Sequence, residues 1–170
     1  MRARAAARPR ATRGFTLVEL MATLALSAIV VLLAVPSFAQ AVARHRLQAA
    51  AEQLALDLAE ARQQAAQRGT VLHLSFNGGA QWCYALAAAP GCDCRTDSAC
   101  SLKTVASRDY PGVQLLQAED ARIEPRPGAS SGGSALLQGA AGQALRVTLG
   151  PLGRARVCAP AGPSGNYPGC

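Results

Sequence analysis

Two arginines one residue apart, six cysteines and a glutamate at the edge of an apolar run are the residues of this 170-residue chain whose types and spacing could do chemistry. Arg154 and Arg156 stand in the stretch Gly-Arg-Ala-Arg. On a strand, alternate side chains share a face and lie about 7 Å apart. At that spacing two guanidiniums can hold successive phosphates of a nucleic-acid backbone. Arg146 can extend the patch, whereas Tyr167 is the only tyrosine nearby for stacking, so the pattern reads backbone charge and not base sequence. The plainer reading is a solvated edge, because charge on an edge strand discourages pairing with other chains.

The cysteines fall into two groups. Cys158 and Cys170 enclose a Pro/Gly-rich tail with almost no apolar side chains. Such a tail frays unless tethered, and a disulfide closing a loop of that size is worth roughly 2–4 kcal/mol. Cys83, Cys92, Cys94 and Cys100 form the other group. Cys92 and Cys94 are too close in sequence to bond without strain, so each is expected to pair outward, as Cys83–Cys92 and Cys94–Cys100. A zinc site is the rival, but the spacing is not that of a zinc finger. His45 and His73 belong to no metal-ligand or nucleophile pattern, and Asn-Gly-Gly-Ala (77–80) signals a hairpin, not a phosphate loop. We expect no enzyme, no metal and no cofactor.

Glu19 poses a different problem. Residues 20–35 are apolar apart from Thr23 and Ser27, whose hydroxyls can bond back to helix carbonyls. Counted from Phe15, the run rises about 31 Å as a helix, close to the roughly 30 Å of a bilayer core. A carboxylate in hydrocarbon costs about 2.5–3.5 kcal/mol, so Glu19 calls for a partner. Arg2, Arg4, Arg8, Arg10 and Arg13 precede Gly14 with no acid among them, while from Phe15 onward twelve Lys/Arg meet ten Asp/Glu. The basicity of the whole chain thus belongs mainly to the leader, which weakens any nucleic-acid argument from net charge and predicts a cytoplasmic N-terminal end. An ordinary secretory signal, cut near Ala39-Gln40-Ala41, is the alternative. Against it stand Glu19 and a helical pattern that continues past any such cut.

After Pro36, which should kink the helix without ending it, Leu47, Ala51, Leu54, Leu58, Ala61 and Ala65 recur every three or four residues on one face. Arg44, Arg46, Glu52, Asp57, Glu60, Arg62 and Arg68 are expected on the solvated remainder, and Gly69 is the stop. The period then changes. Residues 70–76 and 81–86 read as a hairpin, and 102–106, 113–117, 135–138, 144–149 and 154–158 as further strands. Residues 124–134 have the composition of a flexible loop. The expected fold class is α+β: a long N-terminal helix, first half transmembrane and second half amphipathic, packed on a C-terminal antiparallel sheet.

The stretch Gly-Phe-Thr-Leu-Val-Glu-Leu (14–20) resembles the processing motif of type IV pilins and pseudopilins, and residues 46–76 are similar to the GspH/FimT group of minor pilins. The resemblance implies a pilin-like fold in four parts: a cleaved leader 1–14, a transmembrane and filament-core helix 15–36, an amphipathic helix 37–68 and an exported domain 69–170. It implies that prepilin peptidase cuts after Gly14 and methylates Phe15. Glu19, the fifth mature residue, would then pair with the new amino terminus of the same or a neighbouring subunit and set assembly register. Pro36 falls where pilin helices commonly kink. The Cys158–Cys170 loop resembles the C-terminal disulfide loop of many pilins. Gly-Arg-Ala-Arg resembles the Gly-Arg-x-Arg of FimT-like minor pilins that bind DNA during natural transformation. The implied partners are prepilin peptidase, major and minor pilins, the inner-membrane assembly platform and double-stranded DNA. The implied location is the inner membrane, single pass, with the C-terminal domain in the periplasm and outside the cell once in a pilus. The alternative is a type II secretion pseudopilin. Some of those bind calcium, and the loops here offer only Glu119-Asp120 as clustered carboxylates.

Overall fold

Thr16 starts the first element. Its Oγ1 accepts a hydrogen bond from the Glu19 amide at 3.2 Å, which satisfies one of the orphan donors at the head of α1 (Leu17–Arg68). Thr-x-x-Glu is the capping-box spacing, and a carboxylate in the first turn also complements the helix dipole. Glu19 therefore has a local role that the motif reading missed. This is a computed structural model, and it describes residues 14–79, 81–96, 100–126 and 130–170. The arginines of the leader and part of the 124–134 loop lie outside the described residues.

The chain divides into two compact units after Phe38. In the first, the apolar side chains from Phe15 to Phe38 are exposed, and the helix is long and apolar enough to cross a membrane. Thr23 and Ser27 donate their hydroxyl hydrogens to the carbonyls of Leu20 and Thr23, at 2.9 and 2.7 Å, so neither presents an unpaired group to lipid. Pro36 lies inside the helix.

In the second unit, Leu47, Ala50, Ala51, Leu54, Leu58, Ala61 and Ala65 are buried along one face of α1. They pack on an antiparallel sheet of seven strands: β1 (Leu72–Asn77), β2 (Cys83–Ala87), β3 (Ser101–Ala106), β4 (Val113–Ile123), β5 (Gly132–Gly139), β6 (Ala144–Leu149) and β7 (Ala155–Cys158). Their order is β3-β2-β1-β4-β5-β6-β7, which leaves β3 and β7 as edges. The alanines of the helix keep its face flat, and Leu74, Ile123, Leu137 and Val147 rise from the sheet to fill the seam. Each such side chain contributes about 1.5–3 kcal/mol when fully removed from water. The result is the α+β architecture expected of a pilin.

Three details depart from the sequence reading. First, β4 runs past 117 to Ile123 and β5 begins at Gly132, so the ladder is longer than the strands 113–117 and 135–138 and is bulged, and it takes residues 132–134 from the stretch read as loop. Gly133 explains why composition misled: a Cβ there would lie 2.6 Å from the Ala121 Cβ, so glycine is required by close approach inside a strand, not by loop flexibility.

Second, the disulfides are Cys83–Cys94 and Cys92–Cys100, not Cys83–Cys92 and Cys94–Cys100. The register of β2 on β3 sets Cys83 opposite Ala106 and Ala87 opposite Ser101, so Cys83 and Cys100 lie at opposite ends of the strand pair. The connection leaving Ala87 folds back over the outer face of β2. Cys92 meets Cys100 at the near end, and Cys94, further along, reaches Cys83 at the far end. Ala85, Ala87 and Cys92 are buried together there, beside Cys94 and Cys100. All five residues of β2 are thus buried, Tyr84 and Leu86 under the helix and the others under the disulfide loop.

Third, Asp57 is not on the solvated face. It is 1% exposed in the seam. Gln53 Nε2 and Lys103 Nζ each donate to its Oδ1 at 2.6 Å, and the Tyr84 hydroxyl donates to its Oδ2 at 2.8 Å. Burial, then the adjacent carboxylate, pushes the Tyr84 phenol well above its ordinary range, and the hydrogen bond to Asp57 raises the Lys103 ammonium. Both groups hold their protons more tightly folded than unfolded. Their contribution is complete below the unfolded values near 10 and is lost as pH rises beyond them.

Two outcomes test this arrangement. Non-reduced digestion with proteases cutting before Asp93, after Arg95 and after Tyr84 should yield the 93–95 tripeptide disulfide-linked to the Cys83 fragment; its linkage to Cys100 would restore the pairing Cys83–Cys92 and Cys94–Cys100. In a chain beginning at Ala39, which carries every buried residue, Asp57→Ala should lower the urea-unfolding free energy at neutral pH by about 3 kcal/mol, because it orphans the buried Tyr84 hydroxyl. The wild type should also lose stability above about pH 10 more steeply than the variant. A loss below about 1 kcal/mol would show that the carboxylate does not hold the seam.

Candidate functional site

The edge strand β7 carries the arginine pair. Its hairpin with β6 is closed by hydrogen bonds from the Gly150 amide to the Arg154 carbonyl at 3.0 Å and from the Gly153 amide to the Gly150 carbonyl at 2.8 Å. Arg154 thus belongs to the turn, one residue before β7, and only Arg156 lies on the strand itself. Ala155 and Val157 pack toward the core, while Arg156 is exposed. Thr148 is the partner of Arg156 across the ladder and Cys158 that of Arg146. Arg146 therefore shares the sheet face of Arg156, at the diagonal separation of about 7–8 Å.

Arg154 and Arg156 line an open cleft of about 690 Å³ at this edge, and Arg146 does not. The opposite wall is α1, through Gln63 and through Ala55, Ala59, Arg62 and Ala66. Their spacing of four, three and four residues marks a second helical stripe beside the buried one, a signal present in the sequence but hidden by reading Arg62 as solvated. Gly153 is buried at φ 69°, and a Cβ there would meet Arg62 Cδ at 3.0 Å. The glycine of Gly-Arg-Ala-Arg thus serves both a left-handed turn and the passage of the Arg62 side chain. Among the described residues no carboxylate lines the cleft. Among the described residues Arg62, Arg154 and Arg156 have no ion-pair partner, whereas Arg122 lies 2.7 Å from Glu124 and Arg108 4.0 Å from Asp109.

A second cleft, of about 640 Å³, lies beside the Cys83–Cys94 disulfide and also holds arginines. Its cations are engaged: Arg95 donates to the Gly78 and Gln81 carbonyls, and Arg108 neighbours Asp109. At the other end of β7, Cys158 is bonded to Cys170. Tyr167, within that loop, packs on the core and donates its hydroxyl hydrogen to the Glu52 carboxylate. Burial and that hydrogen bond push its phenol up to about 12. Gly14 and Phe15 stand exposed just ahead of α1 and Glu19 in its first turn, all in the first unit. His45 is exposed on the helix, and His73 is half-buried on β1.

The family model for type II transport protein GspH matches residues 50–153, more than half of the chain and most of the helix-on-sheet unit. The chain belongs to the GspH family. The model for the prokaryotic N-terminal methylation motif matches residues 9–35, which hold Gly14, Phe15 and Glu19. No curated protein and no solved structure matches the chain. This GspH-family chain is a minor pilin or pseudopilin, a class anchored by its N-terminal apolar helix, processed by prepilin peptidase and assembled with other pilins. The match ends at Gly153, so Arg62 lies inside it and Arg154 and Arg156 immediately beyond.

Gly153→Ala should destabilise a chain beginning at Ala39 by about 1–2 kcal/mol, the cost of a left-handed non-glycine residue, read as a lower urea midpoint at unchanged slope. An unchanged midpoint would show that the turn does not require glycine.

Proposed function

We propose that this chain is a minor pilin of a type IV pilus whose exported domain binds double-stranded DNA. In this reading residues 15–36 anchor the chain in the inner membrane, with the domain from 69 onward in the periplasm and, after assembly, outside the cell. Prepilin peptidase, the assembly platform and other pilins are its partners. Glu19 pairs with the methylated amine of Phe15, on its own or a neighbouring subunit, and sets the stagger of the packed helices. The protein acts by assembly and binding, without catalysis. The observation that carries the DNA reading is the unpaired state of Arg154 and Arg156 on one cleft at a sheet edge. Guanidiniums without a counter-charge are available to phosphates, and the absence of a stacking aromatic in the cleft fits sequence-independent binding.

Fluorescence anisotropy of a labelled mixed-sequence duplex, with the mature full-length chain in non-ionic detergent, tests it. The wild type should bind with a strong salt dependence. Arg154→Ala plus Arg156→Ala should weaken binding about tenfold or more and reduce the slope of log K against log salt by about two. Equal affinity in the double variant would remove the arginine pair from the function. A second reading, a type II secretion pseudopilin, is favoured by the description of the family matched over residues 50–153. A deletion strain that takes up DNA normally but fails to secrete would select it.

A further inference from the structure

We propose that Arg62, on α1, is a third phosphate-binding residue, so that duplex DNA is held in the cleft between the helix and the β7 edge and not on the sheet face alone. The inference rests on the reading that Arg154 and Arg156 bind DNA, and it changes where the duplex lies.

Three observations carry it. Arg62 lines the same cleft as Arg154 and Arg156, and no acidic residue lines it with them. Three like charges bordering one cleft repel one another, and a bound anion relieves that repulsion. Lys103, Arg108 and Arg122 each have a carboxylate partner within 4.0 Å; these three arginines, like Arg44, Arg46, Arg68 and Arg146, have none among the described residues, and these three share a cleft.

The second observation is the way Arg62 is held. The side chain is half-buried, and its Cδ and Nε would lie 3.0 and 3.3 Å from a Cβ at Gly153. Its stem therefore crosses the glycine in contact with backbone. An arginine braced in this way has already lost part of the rotamer freedom that binding would otherwise remove. A merely solvated arginine needs no glycine opposite it.

The third is the shape of the wall. Ala55, Ala59 and Ala66 flank Arg62, and Gln63 is the one uncharged long side chain beside them, so most of the helix wall of the cleft is no longer than a methyl group. An open cleft with charges from two elements fits a chain of repeated anions better than one carboxylate from a neighbouring protein. Arg146 lies outside this cleft, so the geometry ranks Arg62 above Arg146, the reverse of a patch confined to the strands.

The test uses the same mature full-length chain and labelled duplex. Arg62→Met keeps a stem over Gly153 and removes the charge; Arg62→Lys keeps the charge; Arg146→Met is the comparison. Arg62→Met should raise Kd about fivefold or more and reduce the salt slope by about one, Arg62→Lys should retain the wild-type slope, and Arg146→Met should have the smaller effect. Matching circular dichroism melts establish that the variants fold. If Arg62→Met binds as the wild type does while the Arg154/Arg156 double variant does not, the cleft proposal fails and the DNA reading stands. If the wild type does not bind duplex at all, both fail. Equal binding of a heparin fragment at matched salt would overturn DNA as the occupant in favour of an acidic polysaccharide.

Discussion

One seam carries the helix-on-sheet unit: the stripe of α1 from Leu47 to Ala65 laid across a single antiparallel sheet. Among the described residues the sheet has no second apolar layer over most of its other face. Leu74, Ile123, Leu137 and Val147 have only the helix to exclude water from them. Each strand is placed by what it can give to that seam, and alternate side chains then face outward by the geometry of the pleat. The outward set includes Arg146 and Arg156. Beneath β2, where alternation turns small residues outward, the disulfide-bonded connection covers Ala85 and Ala87 instead. The two crossed disulfides serve as a substitute second layer at the end of the sheet that carries β3.

Asp57 sets the position of the helix within the seam. Hydrophobic contact alone tolerates sliding, since leucine and alanine pack against many neighbours. A buried carboxylate does not, because it needs donors at fixed points. Its donors come from three elements: Gln53 one turn back on α1, Tyr84 on β2 and Lys103 on β3. Displacing the helix by a turn would take the charge away from Tyr84 and Lys103 and leave it only Gln53, which moves with it. The same docking carries Arg62 to the β7 edge, because Asp57 and Arg62 lie on one rigid helix.

Much of this architecture was legible because it rests on periodicity. The buried stripe, the hairpin of β1 and β2, and the strands β3, β6 and β7 follow from spacing and turn residues, and Gly14 to Leu20 carries the methylation motif that the family comparison finds. What stayed hidden depends on partners distant in sequence. Asp57 reads as solvated because Lys103 lies 46 residues away. The disulfide pairing depends on which end of β2 each half of a connection reaches. Arg62 gains meaning only from Gly153, which looks like a turn residue until the helix is laid beside it. The Thr16 cap was the exception, a local signal masked by the stronger motif that contains it.

Net charge is a poor guide to this surface. Beyond the leader, cations and anions nearly balance. A chain in that state has a strong local field only if pairing is uneven, and here it is. Acidic side chains are drawn into the seam and the β3 side, where Asp57 and Glu60 engage Lys103, and to the tips, where Glu124 and Asp109 lie beside Arg122 and Arg108. Several arginines have no carboxylate partner among the described residues, and three of them, Arg62, Arg154 and Arg156, share one cleft at the opposite edge with alanines, Gln63 and a glycine. The low-dielectric wall behind them and a cleft lining without a described carboxylate focus their field outward along β7, while Glu52, one turn before Ala55, is engaged by Tyr167. The charge that matters is thus made by where the fold places its acids, and it lies at the edge strand furthest across the sheet from Lys103.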